Sequence, residues 1–241
     1  MLVIEDASHA LGSRYKDSKG KWHRCGDCIH TDMAIFSFHP VKPITTGEGG
    51  MVVTNNKKLY ERLRLFRTHG ITRDSKKMHE NHGSWYYEMQ ELGFNYRITD
   101  FQCALGIKQL RHLGQFIKRR REIVAKYNKS FANIPDLIIP QELPDVQSAC
   151  HIYVLQFDEA KIRKSKKQIF DALRQAGINV NVHYIPIYFH PFYKNKFGDL
   201  RGECPVAEKY YRQAITLPLY PDLSRLQVQY VIEQVLAAIK R

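Results

Sequence analysis

Among these 241 residues there is no run of about twenty apolar side chains, so no membrane-spanning helix is expected. Met1 leads straight into Leu2-Val3-Ile4-Glu5-Asp6 without a basic stretch or a cleavage site, and a secretory leader is not expected either. Cysteines number only five, an odd count, scattered apart from Cys25 and Cys28. That excludes a disulfide framework and favours a reducing, cytoplasmic setting. Internal repeats and low-complexity tracts are also missing, so a solenoid or a disordered tail is not the reading.

With 44% hydrophobic residues the chain has material for one or two domains with a real core. Its formal charge of +13 fits nucleic acid, an anionic membrane face or a phosphorylated small substrate, and equally a solvated basic surface. The run Lys118 to Arg121 reads as the solvated face of a helix; without interleaved aromatics it does not argue for nucleic acid, and no nucleic-acid or membrane partner is expected. Cys25 and Cys28, flanked by His23 and His30, offer four N and S donors for zinc. Each histidine lies only two residues from the nearest cysteine, which is poor spacing for a zinc motif, so no metal is expected and the segment reads as a polar loop.

Apolar runs at 2–4, 33–38 and 49–54 read as short strands, and 57–68 as a helix capped by Asn55 or Asn56 and ended by Gly70. Residues 71–94 are unpatterned yet carry Trp85, Tyr86 and Tyr87, which suits a functional or interface loop. A long or bent amphipathic helix starts near Asp100, with Thr99 or Asp100 as cap, and runs to about Tyr127. Pro135, Pro140 and Pro144 then mark a connection, so 1–134 reads as one domain with its linking helix and 135–241 as a smaller α/β domain. In the latter, 151–157 and 178–182 read as strands, and Ser165–Ala176, 204–212 and 224–240 as helices.

Two stretches carry the chemistry. Val3 to Gly12 is a strand ending in an acid, a geometry that stands a carboxylate at the carboxyl end of a sheet, where Asp6 can face a protonated ring nitrogen. Phe36-Ser37-Phe38-His39-Pro40-Val41-Lys42 has apolar neighbours on both sides of a lysine, which strip water from the amine, lower its pKa and fit it to form a Schiff base. Taken singly, Asp6 is equally a strand end or a cap, Lys42 a surface charge, and Gly47, Gly49 and Gly50 a tight hairpin.

In order, Glu5 to Gly12, Ser37 to Lys42 and Gly47 to Gly50 resemble the sugar aminotransferases of the DegT/DnrJ/EryC1/StrS family, over nearly the whole chain. Phe36 to Lys42 with His69-Gly70-Ile71-Thr72-Arg73 is most similar to the branch serving pseudaminic acid synthesis. The resemblance implies fold-type I pyridoxal-phosphate enzymes: a partial large domain with a mainly parallel sheet plus a smaller C-terminal α/β domain, working as a homodimer. It implies pyridoxal 5'-phosphate as cofactor and transfer of an amino group from glutamate to a nucleotide-linked (UDP) 4-keto-6-deoxy sugar.

By the same resemblance Lys42 is the catalytic lysine, Asp6 the partner of the ring nitrogen, His9 a neighbour of the ring and Ser37 a phosphate ligand. Asn95, in the Gly-x-Asn-x-Arg turn, would reach the cofactor phosphate of a neighbouring subunit. His183 and Tyr184, in a His-Tyr-x-Pro signature, would lie near the substrate. From the residues alone, Ser37 is also an ordinary strand serine, Asn95 also a residue stabilising its own turn, and His183 also a satisfied polar group. Related sugar dehydratases carry His at the lysine position, so Lys42 favours transamination. Family members hold a substantial segment ahead of the strand at 2–4, and a truncated, non-catalytic or partner-dependent member is the alternative expectation.

Overall fold

The computed structural model describes residues 1–240, in two compact units: Met1–Gly114 with Asp145–Ala149, and Gln115–Pro144 with Cys150 onward. In the first, β1 (Ile4–Asp6), β2 (Arg14–Lys16), β3 (Trp22–Arg24), β4 (Met33–Ser37), β5 (Gly50–Val53), α1 (Lys57–Arg67), β6 (Ile71–Thr72), β7 (Glu88–Met89) and α2 (Asp100–Leu110) follow one another. In the second come α3 (Leu113–Phe131), which begins two residues ahead of the division, β8 (Leu137–Ile138), β10 (Tyr153–Phe157), α4 (Lys166–Gln175), α5 (Pro191–Phe197), α6 (Pro205–Gln213), β11 (Ala214–Leu217) and α7 (Arg225–Ile239). The short β9 (Val146–Gln147) lies between β8 and β10 in sequence but pairs with β2 in the first unit.

The first unit is organised by the sheet β1-β4-β5. β1 and β4 run parallel, with Asp6 opposite Ile35, and β5 lies antiparallel to β4, with Gly50 opposite Ser37. The expected mainly parallel sheet is thus represented by one parallel pair beside an antiparallel edge. Asn56 caps α1 by accepting from the backbone N–H groups of Lys58 and Leu59, and Gly70 N–H closes its far end on Leu65 O. Thr99 and Gln102 form a capping box on α2.

Two expectations shift here. The segment around Cys25 is not simply a loop: residues 14–24 fold into an antiparallel hairpin, β2 with β3. Residues 71–94 are closed at the base by β6 pairing with β7. Within that loop Glu88 accepts from the backbone N–H groups of His79 and Glu80, the Tyr86 hydroxyl and the Gln90 amide. These bonds hold its carboxyl down at about 2.

The second unit carries an antiparallel sheet, β11-β10-β8, with a continuous core. Ile123, Tyr127 and Phe131 recur every four residues along α3 and are buried, as are Ile169 and Leu173 of α4 and Val228, Val231, Ile232 and Val235 of α7. β10, the central strand, buries alternate residues Tyr153, Leu155 and Phe157, while all four residues of β11 are buried, so this edge strand is covered on both faces. Ser165 and Ser224 cap α4 and α7 with capping boxes.

The long or bent helix expected from Asp100 is two helices, divided at Arg111 and His112. The compact units separate between 114 and 115, whereas the sequence division falls between 134 and 135, because the apolar face of α3 is built into the C-terminal core. The expected strand at 178–182 is reduced to a single bridge between Asn181 and Thr216. The run Lys118 to Arg121 is not wholly a solvated face either. Arg120 is buried, with Nη1 donating to the carbonyls of His151 at 3.0 Å and Leu219 at 2.7 Å, and with Nε lacking a partner. Neutral carbonyl dipoles compensate that cation, and burial lowers its pKa from the ordinary value.

Candidate active site

Asp6 ends β1, and Lys42 lies five residues beyond the end of the neighbouring strand β4. Parallel pairing aligns the carboxyl ends of both strands, which is how two residues 36 positions apart come to act on each other electrically. Ser8 N–H donates to Asp6 Oδ1 at 3.0 Å. Hydrogen bonds from Ser8, then the nearby charges of His9 and Lys42, hold the Asp6 carboxyl below its ordinary value. The turn-capping role open to Asp6 in the sequence is therefore realised, and it keeps the group ionised.

Lys42 is half-buried, and desolvation lowers its amine from the usual lysine range while the Asp6 charge opposes the shift. The burial comes from one side: Pro43 and Ile44 are buried, whereas Pro40 and Val41 are exposed. The turn carrying the lysine is drawn closed on Phe38, whose carbonyl accepts from Thr46 N–H and from the Thr45 hydroxyl, while Phe38 N–H donates to Gly49 O. Lys42 N–H donates to His39 O.

Beyond the lysine, the Thr45–Gly50 loop is fastened to α2. Gln109 Oε1 accepts from Thr45 N–H at 3.2 Å, and Gln102 Nε2 donates to Glu48 O at 2.8 Å. Gly49 has φ of +157°, and a Cβ there would stand 2.2 Å from the Thr46 hydroxyl. A Cβ on Gly106 would press to 2.8 Å from Thr46 Cγ2, so α2 approaches the loop as closely as it does because that residue has no side chain. Gln102, Gly106 and Gln109 carry no mark of this role in the sequence. The paired threonines ahead of Gly47 are the one local signal; the α2 contacts span more than fifty positions and leave none.

Ser37 is the last residue of β4, its Oγ accepting from His39 N–H at 3.4 Å. His9 is half-buried on the turn after β1 and close enough for its charge to act on Asp6. Asn95 is exposed, on a segment whose backbone bridges to Thr68. The first unit therefore gathers Asp6, His9 and Lys42 at the carboxyl edge of its sheet, with Ser37 at the end of β4 itself. His183 and Tyr184 belong to the second unit, where His183 Nδ1 and the Thr216 hydroxyl are 2.7 Å apart and the Tyr184 ring meets the His183 ring edge-on at 4.6 Å. The alternative of a satisfied polar group thus holds for His183 at Nδ1.

As a site for pyridoxal phosphate the first unit has the donor chemistry: an ionised carboxylate, a partly desolvated amine, and a serine hydroxyl beside a glycine-bearing loop. Among the described residues no helix is long and apolar enough to cross a membrane.

Comparison with known proteins bears on this arrangement directly. The chain is 38% identical over 240 residues to the UDP-4-amino-4,6-dideoxy-N-acetyl-beta-L-altrosamine transaminase of Campylobacter jejuni, covering 99% of this chain and 59% of that one. Helicobacter pylori PseC, an aminotransferase involved in the biosynthesis of pseudoaminic acid, superposes with a TM-score of 0.86 at 32% identity, over 99% of this chain and 60% of that one. The sugar aminotransferase Spr1654 of Streptococcus pneumoniae, described as putative and solved in its PMP form, gives a TM-score of 0.87 at 31% identity, over 99% of this chain and 59% of its own. The chain thus spans about 60% of the length of the relatives it matches. Residues 1–236 match one family throughout, and with these likenesses the chain belongs to the DegT/DnrJ/EryC1/StrS aminotransferase family.

Proposed function

We propose that this chain holds pyridoxal 5'-phosphate on Lys42 and takes part in moving an amino group from glutamate to a nucleotide-linked 4-keto-6-deoxy sugar. In this reading it works in the cytoplasm as part of a homodimer. The observation that carries the proposal is the electrostatic pairing of an ionised Asp6, at the end of β1, with a pKa-lowered Lys42, in the turn that follows the parallel strand β4. When bound, the cofactor supplies an electron sink for the charge left as a substrate carbon loses its proton.

The residues supply the rest. Lys42 Nζ, partly stripped of water, is deprotonated more readily than a surface lysine, so it serves as nucleophile and then as the base that carries a proton from one carbon to another. The Asp6 carboxylate, anchored by Ser8, holds a proton on the ring nitrogen opposite it. His9 flanks that pair, Ser37 and the Thr45–Gly50 loop provide the phosphate end, and Asn95 adds a contact from the neighbouring subunit. His183 and Tyr184 take the sugar side. The names of the relatives support a UDP-linked sugar of the pseudaminic acid type.

The test is reductive fixation: the chain is mixed with pyridoxal phosphate, reduced with borohydride and digested for mass spectrometry. Labelling concentrated on Lys42 and lost in Lys42→Ala is the expected result; labelling spread evenly over surface lysines rejects the reading. Asp6→Asn removes the charge that supports the protonated amine, so its labelling profile moves to lower pH while turnover falls. A second reading, cofactor binding without turnover unless further polypeptide is supplied, is favoured by the apolar side chains that α2 leaves in solvent. Labelling at Lys42 with no 4-amino sugar formed from glutamate separates the two.

A further inference from the structure

The hairpin that follows β1 assembles donors the sequence did not pair. Nε2 of His23, Oδ2 of Asp17 and a ring nitrogen of His30 lie within 4.8 Å of one another. His23 is buried, while His30 is exposed. The two cysteines once weighed for zinc do not join them. Burial pushes the Cys25 thiol up to about 11, and Cys28 Sγ donates to Val53 O. The donor cluster consists of Asp17, His23 and His30 and includes neither thiol.

Two of the three ligands are held from behind. Asp17 Oδ1 accepts from the backbone N–H groups of Lys19 and Lys21, both at 2.9 Å, which turns Oδ2 toward His23. His23 Nδ1 is 3.3 Å from Asp27 Oδ2, and the other oxygen of Asp27 accepts from Ile29 N–H. This is the carboxylate–histidine support that orients imidazole ligands in metal sites. His23 has a carboxylate oxygen at each ring nitrogen, the second 3.0 Å from Nε2, so its Nε2 side presents an imidazole nitrogen and an anionic oxygen side by side. The His30 ring, edge-on to His23 with centroids 5.1 Å apart, brings a third donor to that place.

We propose that Asp17, His23 and His30 form a binding site for a zinc-class divalent cation, bracing the β2–β3 hairpin against the segment that follows it. Two imidazoles and a carboxylate suit zinc and its neighbours rather than magnesium or calcium. Donor atoms sharing a zinc ion at bonds of about 2.0–2.2 Å stand roughly 3.3–3.6 Å apart, so Asp17 and His23, now 3.0 Å apart, need to open by only a few tenths of an ångström, and the exposed His30 ring supplies the remaining movement.

Untagged, chelator-treated chain titrated with zinc sulfate in a calorimeter tests this. One zinc per chain is expected, with a melting temperature that rises with zinc concentration. Asp27→Asn, which touches the support alone, should weaken binding about tenfold or more. His30→Ala should abolish it without changing the metal-free melting temperature, and His30→Gln provides a second exposed variant. The double variant Cys25→Ser, Cys28→Ser should bind as the parent does. Zinc uptake no tighter than in His30→Ala and His30→Gln, or uptake lost in the cysteine variant, overturns the proposal.

Discussion

The unit that bears the candidate site and the unit that follows it are built on different terms. The C-terminal unit owns nearly the whole apolar core, drawn from α3, α4, β10, β11 and α7. The first unit buries little beyond Ala7, Ala34, Phe38 and Ile44. Its α2 has no buried residue, and Phe101 is 82% and Ile107 58% exposed. A self-contained core makes the second unit a stable body, whereas the first is held in shape by strand pairing, loop hydrogen bonds and the fastening of residues 45–50 to α2. That the candidate site sits on the less densely cored unit is consistent with function being drawn from loops at strand ends, where backbone and side-chain polarity must stay available.

This contrast can be broken by mutation. Phe131→Ala removes a fully buried ring from the C-terminal core and should cost ~3–5 kcal/mol, read as a fall in the urea midpoint. Ile107→Ala on α2 should change the same midpoint by only ~0.5 kcal/mol or less, since its side chain is already in solvent. Equal losses would mean that α2 is packed in solution. A smaller effect tests the helix ends: Ser224→Ala deletes the cap of α7 and should cost ~1 kcal/mol. Thr99→Ala should cost a similar amount by the local bond but, in addition, free Gln102 from its capping role and loosen its hold on Glu48. Amide exchange at residues 45–50 would report that loosening.

The smallest effect concerns pH. Glu88 has its carboxyl pulled down to about 2 from the usual 4.5, so its ionised form is favoured by the folded loop. Its contribution is fully present above the unfolded value and fades as pH falls from about 4.5 toward 2. Exchange protection at His79 and Glu80, whose N–H groups it accepts, should decline over that window and lose that pH dependence in Glu88→Gln.

Features that are local in the chain were legible in advance. Asn56, Thr99, Ser165 and Ser224 cap their helices because a short polar side chain reaches backbone N–H groups two or three residues on. Strands β1, β4 and β5 read out as apolar runs. Less visible were β11, whose Ala214–Leu217 looks like any brief apolar stretch beside a helix, and the break between α2 and α3 at Arg111 and His112, next to which Gly114 is the one local signal. Arg120 sits in a basic run and still goes inside, because three carbonyls converge on its Nη1 from residues as much as 99 positions away.

By itself the sequence determined which groups exist to do chemistry and how each nearby turn would close: an acid after a strand, a lysine ahead of a glycine-bearing loop, helices starting after Ser165 and Ser224. Tertiary structure alone decided which of them meet. Parallel pairing set Asp6 within electrical reach of Lys42, the hairpin turned Asp17 and His23 toward His30, and α2 took hold of the loop beyond the lysine. The physical reason is range: propensity and capping act over a few residues, whereas desolvation and Coulomb forces depend on neighbours brought together only when the chain folds.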